Sequence, residues 1–217
     1  MGNTAQAAAA DSKKGGSIKD VLSVALLVLI VAYTMGCTAY QFLSTLFISY
    51  GTETLGYTKV AVAGASSMVA LTGLIMRPFG SVIGDRVNKK VLFACGLFGM
   101  GLTDFILSVV TDLTALYAIQ LFKGIVWSFI GLSGQLMVAE IVEKKNLGLG
   151  TSLYQLGQMI ANSFAAVVAL GAANQYGFAA ALKIGGVIGM AGAVIVIFIP
   201  INGSAARTGK KFNINNV

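Results

Sequence analysis

Two long stretches without a charged side chain limit what this chain can fold into. Residues 21–52 contain no Asp, Glu, Lys or Arg, and neither do residues 146–182. A helix of about 20 apolar residues crosses the hydrocarbon core of a bilayer. The first stretch therefore predicts one membrane span. The second is too long for one helix, and the polar sequence Asn174-Gln175-Tyr176-Gly177 divides it between two spans.

Composition places the whole chain in the same class. Hydrophobic residues make up 56% of it and charged residues only 11%, whereas soluble domains carry about 25% charged residues. Hydropathy and charge together predict an all-α membrane protein whose transmembrane domain covers residues 20–201. The six expected spans lie within residues 21–52 and at residues 59–84, 90–111, 113–140, 147–172 and 178–200.

Lysine and arginine residues predict how the helices are oriented. Eleven of them precede the first span, follow the last, or lie in the loops after the second and fourth spans, while the alternate loops hold only Lys59. Because cytoplasmic loops collect Lys and Arg, we expect a protein of the cell membrane with both termini in the cytoplasm. Residues 1–19 are expected to be a disordered N-terminus and residues 202–217 a basic tail.

Other function classes find little support in the sequence. The chain has no His, so a His-containing metal site is excluded, and there is no GxxxxGK(S/T) sequence to bind a nucleotide. We therefore expect no enzyme activity and no cofactor. The net charge of +7 is typical of cytoplasmic loops rather than of nucleic-acid binding. The expected partners are the lipid bilayer and a small solute.

A charged turn, RPFGSVIGDRVNKK at residues 77–90, lies between the second and third spans. It resembles the loop between the second and third helices of the major facilitator superfamily, whose pattern is Gly-x-x-x-Asp-Arg-x-Gly-Arg/Lys-Arg/Lys after an Arg-Pro lead. The residues in register with that pattern are Arg77, Pro78, Asp85, Arg86, Lys89 and Lys90. Ser81 and Asn88 replace its two glycines; Ser is small, and Asn tolerates a left-handed backbone.

The resemblance extends over about residues 20–200 and implies the N-terminal, six-helix half of such a transporter, built as 3+3 inverted repeats. It further implies secondary transport of a small solute by alternating access. A second six-helix unit would be needed, either from a homodimer or from a missing C-terminal half. The alternative is a truncated or non-transporting membrane fragment or partner subunit.

In that family the charged turn acts as a gate latch, which implies a gating role for Asp85, Arg86, Lys89 and Lys90. Glu140 leaves the fourth span on the same side of the membrane. We hypothesise that Arg86 or Lys89 pairs with Glu140 and latches the cytoplasmic ends of the second and fourth helices.

A lysine inside the fourth span is the main candidate for a substrate contact. Lys123 lies near the expected bilayer midplane, where a charge costs roughly 2.5–3.5 kcal/mol. Gln120 and Trp127 share its helical face. Since the first and fourth helices line the cavity in the resembled family, Lys123 is expected to attract an anionic substrate, with Trp127 as a wall and Gln120 as a donor. Alternatively, Lys123 pairs with Asp104 of the third span or extends to the interface.

Polar residues on three other spans complete the set of candidates. Tyr33 and Tyr40 share a face of the first span and serve either a cavity wall or helix packing. Gln155, Gln158 and Asn162 share a face of the fifth span and are expected to form interhelical hydrogen bonds, with a substrate contact as the alternative. Asp104 is the intramembrane carboxylate that we consider for proton coupling.

Overall fold

The computed structural model describes residues 21–199, and for residues 77, 78, 80–82 and 84–86 it describes the backbone alone. This part of the chain is 89% helical and has no strand. Six of its helices are long and apolar enough to cross a membrane. The predicted fold class is therefore confirmed, whereas the expectations for residues 1–19 and 202–217 lie outside the described residues.

The six long helices follow one another with short connections. A π-helical turn at Tyr50–Thr54 extends the first of them, and a 3-10 turn at Lys144–Asn146 precedes the fifth. The third helix ends before the predicted position 111, and the fifth continues past the predicted position 172. The helices are α1 (Val24–Ser49), α2 (Lys59–Arg86), α3 (Lys89–Leu107), α4 (Leu113–Ile141), α5 (Leu147–Tyr176) and α6 (Phe178–Ile197).

Side-chain oxygens at the N-termini fix where four of these helices begin. Each accepts a hydrogen bond from a backbone amide of the first turn, which otherwise has no partner inside the helix. These residues are Ser23, Thr58, Asn88 and Asp112. Between α5 and α6 the chain instead turns at Gly177, whose φ of 85° favours glycine.

Asn88 shows why the charged turn does without its second glycine. The residue has φ −61° and ψ 117°, so the left-handed backbone that Asn tolerates is not adopted. Its side chain accepts a hydrogen bond from the Lys90 amide at 3.0 Å and caps α3. The substitution therefore exchanges backbone freedom for a helix cap.

Helix packing follows an internal symmetry. The main contacts of α1 are with α5 and α6, those of α4 are with α2 and α3, and α3 also packs on α6. If α1, α2 and α3 exchange places with α4, α5 and α6, respectively, the same pairs of contacting helices result. If every helix crosses the bilayer, the exchanged helices run in opposite directions. This is the contact pattern of a 3+3 inverted repeat.

The central pair, α3 and α6, approaches closely because glycines face each other. A Cβ atom added at Gly186 would lie 2.9 Å from the Gly101 carbonyl oxygen, and one at Gly189 would lie 3.0 Å from the Gly101 Cα. Small residues permit this close backbone contact, which stabilises helix pairs in lipid through van der Waals packing. Two apolar clusters fill the rest of the interior, one around Phe93 and Tyr154 and one around Phe42 and Phe47.

Candidate functional site

Lys123 lies inside the six-helix unit and is held by α1. Its side chain is only 1% exposed. The ammonium donates hydrogen bonds to Ser44 Oγ at 2.8 Å and to the Tyr40 carbonyl at 3.4 Å. It also lies 4.1 Å from the centroid of the Tyr40 ring, within the range of a cation–π interaction. Three groups of α1 thus contact the ammonium of Lys123, which belongs to α4.

Stacked aromatic rings continue from this lysine across the unit. The Tyr40 and Trp127 centroids are 4.4 Å apart, and Trp127 lies 6.5 Å from Tyr33. Tyr33 in turn stacks on Tyr154 of α5 at 4.0 Å. Tyr40 and Trp127 are partly exposed, whereas Tyr33 and Tyr154 are buried. We call these four rings the aromatic row; its open end is the Tyr40–Trp127 pair.

The sequence predicted part of this arrangement. Three of its aromatic residues, Tyr33, Tyr40 and Trp127, were candidates, and they lie together beside Lys123. Ser44 and Tyr154 were not. Ser44 follows Tyr40 by four residues and so shares its helical face. That spacing is the sequence signal for its place beside Lys123. Tyr154 enters the row only because α5 packs on α1, which no local pattern shows.

Two amide side chains differ in their environment. Gln158 accepts a hydrogen bond from the Tyr33 hydroxyl at 3.4 Å, which joins α5 to α1. This is the expected interhelical bond. Gln120 is 2% exposed, and its Oε1 has no hydrogen-bond partner among the described residues. Gln120 therefore retains an unused acceptor one helical turn from Lys123.

Asp104 is fully buried on α3. Within residues 21–199, neither of its carboxyl oxygens has a hydrogen-bond partner, and no ion pair joins it to Lys123. Neither alternative for Lys123 is therefore realised: the ammonium does not directly pair with Asp104, and at 1% exposure it does not extend to the interface.

The charged turn is tied to two other helices. Lys89 forms an ion pair with Glu140, each side chain being 26% exposed. Lys89 is one of the two cations that were expected to pair with Glu140, and because it is the first residue of α3, this pair joins α3 to α4. The side chains of Asp85 and Arg86 lie outside the described residues.

Lys90 makes a contact that the sequence did not predict. Its ammonium donates hydrogen bonds to the carbonyls of Ile197 and Ile199, both at 2.8 Å. The last carbonyls of a helix have no partner inside it and carry partial negative charge. Lys90 thus caps α6 and joins its end to the start of α3.

An open depression of about 730 Å³ lies along the first half of α5. Its lining is mainly apolar and runs from Leu147 to Met159. None of the candidate residues on α1 or α4 lines it, so the aromatic row and Lys123 form a separate site.

Helices, internal symmetry and an intramembrane cation together define a multi-pass membrane protein of the transporter type. The chain belongs to the Major Facilitator Superfamily, whose family model matches residues 22–213. A protein of Arabidopsis thaliana named "D-xylose-proton symporter-like 1" is 30% identical over 118 residues. The matched part is 51% of this chain and 24% of that protein. The chain therefore spans about a quarter of the length of the relative it matches.

Proposed function

We propose that this chain forms one six-helix unit of a secondary transporter that moves a small anionic solute by alternating access. The solute binds at the open end of the aromatic row, against Tyr40 and Trp127, with Tyr33 behind them. Lys123 supplies positive charge under Tyr40, and Gln120 supplies a polar group on the same face of α4.

The proposal rests on one observation, the burial and the bonding partners of the Lys123 ammonium. This ammonium is buried at membrane depth and bonded to a hydroxyl, a carbonyl and a ring face. None of these groups carries a negative charge, and buried charges in membranes are costly and usually serve function. An anion at the adjacent Tyr40–Trp127 surface would offset that charge.

Transport would need a second six-helix unit, because solute sites in this family lie between two such units. We propose that a second copy or a C-terminal half supplies it. The Lys89–Glu140 ion pair then helps to close the cytoplasmic side, together with Asp85, Arg86 and Lys90. Both termini face the cytoplasm of a cell-membrane protein in this arrangement.

Uptake into proteoliposomes tests the function. If a second copy supplies the other unit, we expect uptake of organic anions by the 217-residue chain, and its loss in Lys123→Gln. Lys183→Gln is the matched control, because Lys183 is an exposed lysine on α6 and should transport as the wild type does. Unchanged uptake in Lys123→Gln would exclude the anion site. Crosslinking in the same vesicles reports whether two copies associate.

A neutral sugar is the second candidate solute. The relative named as a D-xylose-proton symporter-like protein favours it, as does the internal bonding of Lys123, whose ammonium already has partners. The same vesicles distinguish the two: sugar uptake that withstands Lys123→Gln but is lost in Trp127→Ala supports the sugar and contradicts the anion.

A further inference from the structure

The depression along the first half of α5 has no part in the proposed solute site. It lies on the face of α5 that is turned away from α1. Tyr154 and Gly157 belong to the opposite face, which is buried and packs on α1. Gly148, Leu156 and Met159 line the depression and are exposed. The depression therefore opens away from the interior of the six-helix unit.

The depression is about as long as one leaflet of a bilayer is deep. Its lining begins at Leu147, the first residue of α5, and ends at Met159. At about 1.5 Å per residue this part of the helix is about 18 Å long, and half of a hydrocarbon core of about 30 Å is about 15 Å. The helix itself continues to Tyr176. A partner helix would follow α5 across the whole bilayer, so the length of the depression fits an acyl chain better.

The chemistry of the lining also fits an acyl chain. The Ser152 hydroxyl, which is one of its few polar groups, already donates a hydrogen bond to the Gly148 carbonyl at 2.9 Å. Gly148 leaves room for a chain: within the described residues, no atom other than those of its chain neighbours and its own helix backbone lies within 4 Å of an added Cβ. The apolar side chains of the lining are Leu147, Leu149, Leu153, Leu156 and Met159.

Cations lie next to the mouth of the depression. Lys144 and Lys145 belong to the 3-10 turn that leads into α5. Glu143 precedes them, and its carboxylate pairs with Lys145 at 2.8 Å, so these two charges offset each other. Lys144 is exposed and forms no ion pair within residues 21–199. The N-terminal end of α5 adds partial positive charge. The mouth therefore carries a net positive charge.

We propose that the depression on α5 is a binding site for an anionic phospholipid. One acyl chain lies along the leucine side chains of the lining, and the phosphate group lies beside Lys144. Basic residues next to a membrane span attract anionic headgroups in this way. In the orientation proposed above, the lipid belongs to the inner leaflet. The site goes beyond the proposed transport and shares no residue with Lys123 or the aromatic row.

Native mass spectrometry of the purified 217-residue chain, released from detergent micelles, tests the site. Phosphatidylglycerol and phosphatidylcholine with the same acyl chains are added in turn, so that the two samples differ in the headgroup. We expect the chain to retain phosphatidylglycerol and to bind phosphatidylcholine more weakly. Equal binding of the two lipids by the wild type would overturn the proposal, and this comparison does not depend on the folding of any variant.

Lys144→Gln tests the charge at the mouth. It should weaken phosphatidylglycerol binding about fivefold, because one Lys or Arg near a membrane surface contributes about 1 kcal/mol to the attraction for anionic lipid. Lys183→Gln is the control, since it removes an exposed lysine of α6 far along the chain from the depression. The same loss in both variants would contradict a headgroup site at Lys144.

Gly148→Leu tests the depression itself. The added side chain should fill the space of the acyl chain and abolish most of the phosphatidylglycerol binding. Gly171→Leu is the matched control on the same helix: Gly171 is exposed, lies outside the lining and offers the same open space to a Cβ within the described residues. Equal binding in the two glycine variants would place the lipid elsewhere and overturn the proposal.

The same spectra detect a second copy of the chain, which is the other occupant to consider. If a second copy covers the depression, the mass of a dimer appears in the wild type and is lost in Gly148→Leu, while phosphatidylglycerol binding is the same in both. That result would overturn the lipid site. Because the lipid site does not involve Lys123, a failure of anion uptake and a failure of lipid binding are distinguishable.

Discussion

Lys123 on α4 and Ser44 on α1 are joined by a hydrogen bond of 2.8 Å at membrane depth. Hydrogen bonds to charged groups contribute about 1.5–3 kcal/mol in soluble proteins, and interhelical bonds in membranes average about 0.6 kcal/mol. We therefore expect Ser44→Ala to lower the free energy of unfolding by about 1 kcal/mol. Denaturation in mixed detergent micelles measures the change.

Ser67→Ala is the control for that variant. Ser67 is exposed on α2, and its hydroxyl donates to the Ala63 carbonyl of its own helix. The stability should change by less than about 0.5 kcal/mol. Equal effects of the two serine variants would mean that the bond between α1 and α4 contributes nothing to the fold.

Lys90 should stabilise the C-terminal end of α6. Lys90→Met removes two hydrogen bonds to the carbonyls of Ile197 and Ile199, each worth about 0.5–1.5 kcal/mol. We expect faster amide hydrogen exchange in the last turn of α6. Lys144→Met, which removes an exposed cation on the same side, should leave that exchange unchanged. Equal protection in both variants would contradict the capping role.

The Lys89–Glu140 ion pair should show a small but measurable coupling. Each side chain is 26% exposed, and partly exposed pairs contribute about 0.2–1 kcal/mol. Lys89→Glu and Glu140→Lys should each destabilise the chain, and the double reversal should restore most of the loss. A double-mutant cycle gives the coupling energy, which should fall as salt rises. Additive single effects would show that the pair is not formed in solution.

The helices were predictable from sequence because each long apolar stretch has few ways to satisfy its backbone in a bilayer. Position within a helix was also predictable: the spacing that placed Trp127 beside Lys123 is a property of one helix. The helix termini were less predictable, since α3 ends at Leu107 although its apolar stretch continues beyond that residue. At that end the Ser108 hydroxyl donates to the Phe105 carbonyl at 2.7 Å, a local side-chain bond of the kind that competes with continuation of a helix.

Contacts between helices were not predictable in the same way. Lys90 binds backbone carbonyls 107 and 109 residues away, and a carbonyl acceptor leaves no mark in the side-chain pattern. Whether Lys123 turns toward Asp104 or toward Ser44 depends on which faces of α1, α3 and α4 meet. The sequence therefore placed the charges in the membrane without deciding their partners.

The close contact between α3 and α6 at Gly101 should make the fold sensitive to a larger side chain there. A Cβ at Gly101 would lie 2.9 Å from the Met190 amide nitrogen, so Gly101→Ala should overpack the central helix pair and cost about 1–3 kcal/mol. Gly131→Ala is the matched control: within the described residues, no atom other than those of its chain neighbours and its own helix backbone lies within 4 Å of an added Cβ. Because alanine has the higher helix propensity, that variant should be neutral or gain up to about 1 kcal/mol. Unfolding in mixed micelles measures both, and equal stabilities would show that α3 and α6 do not approach closely in lipid.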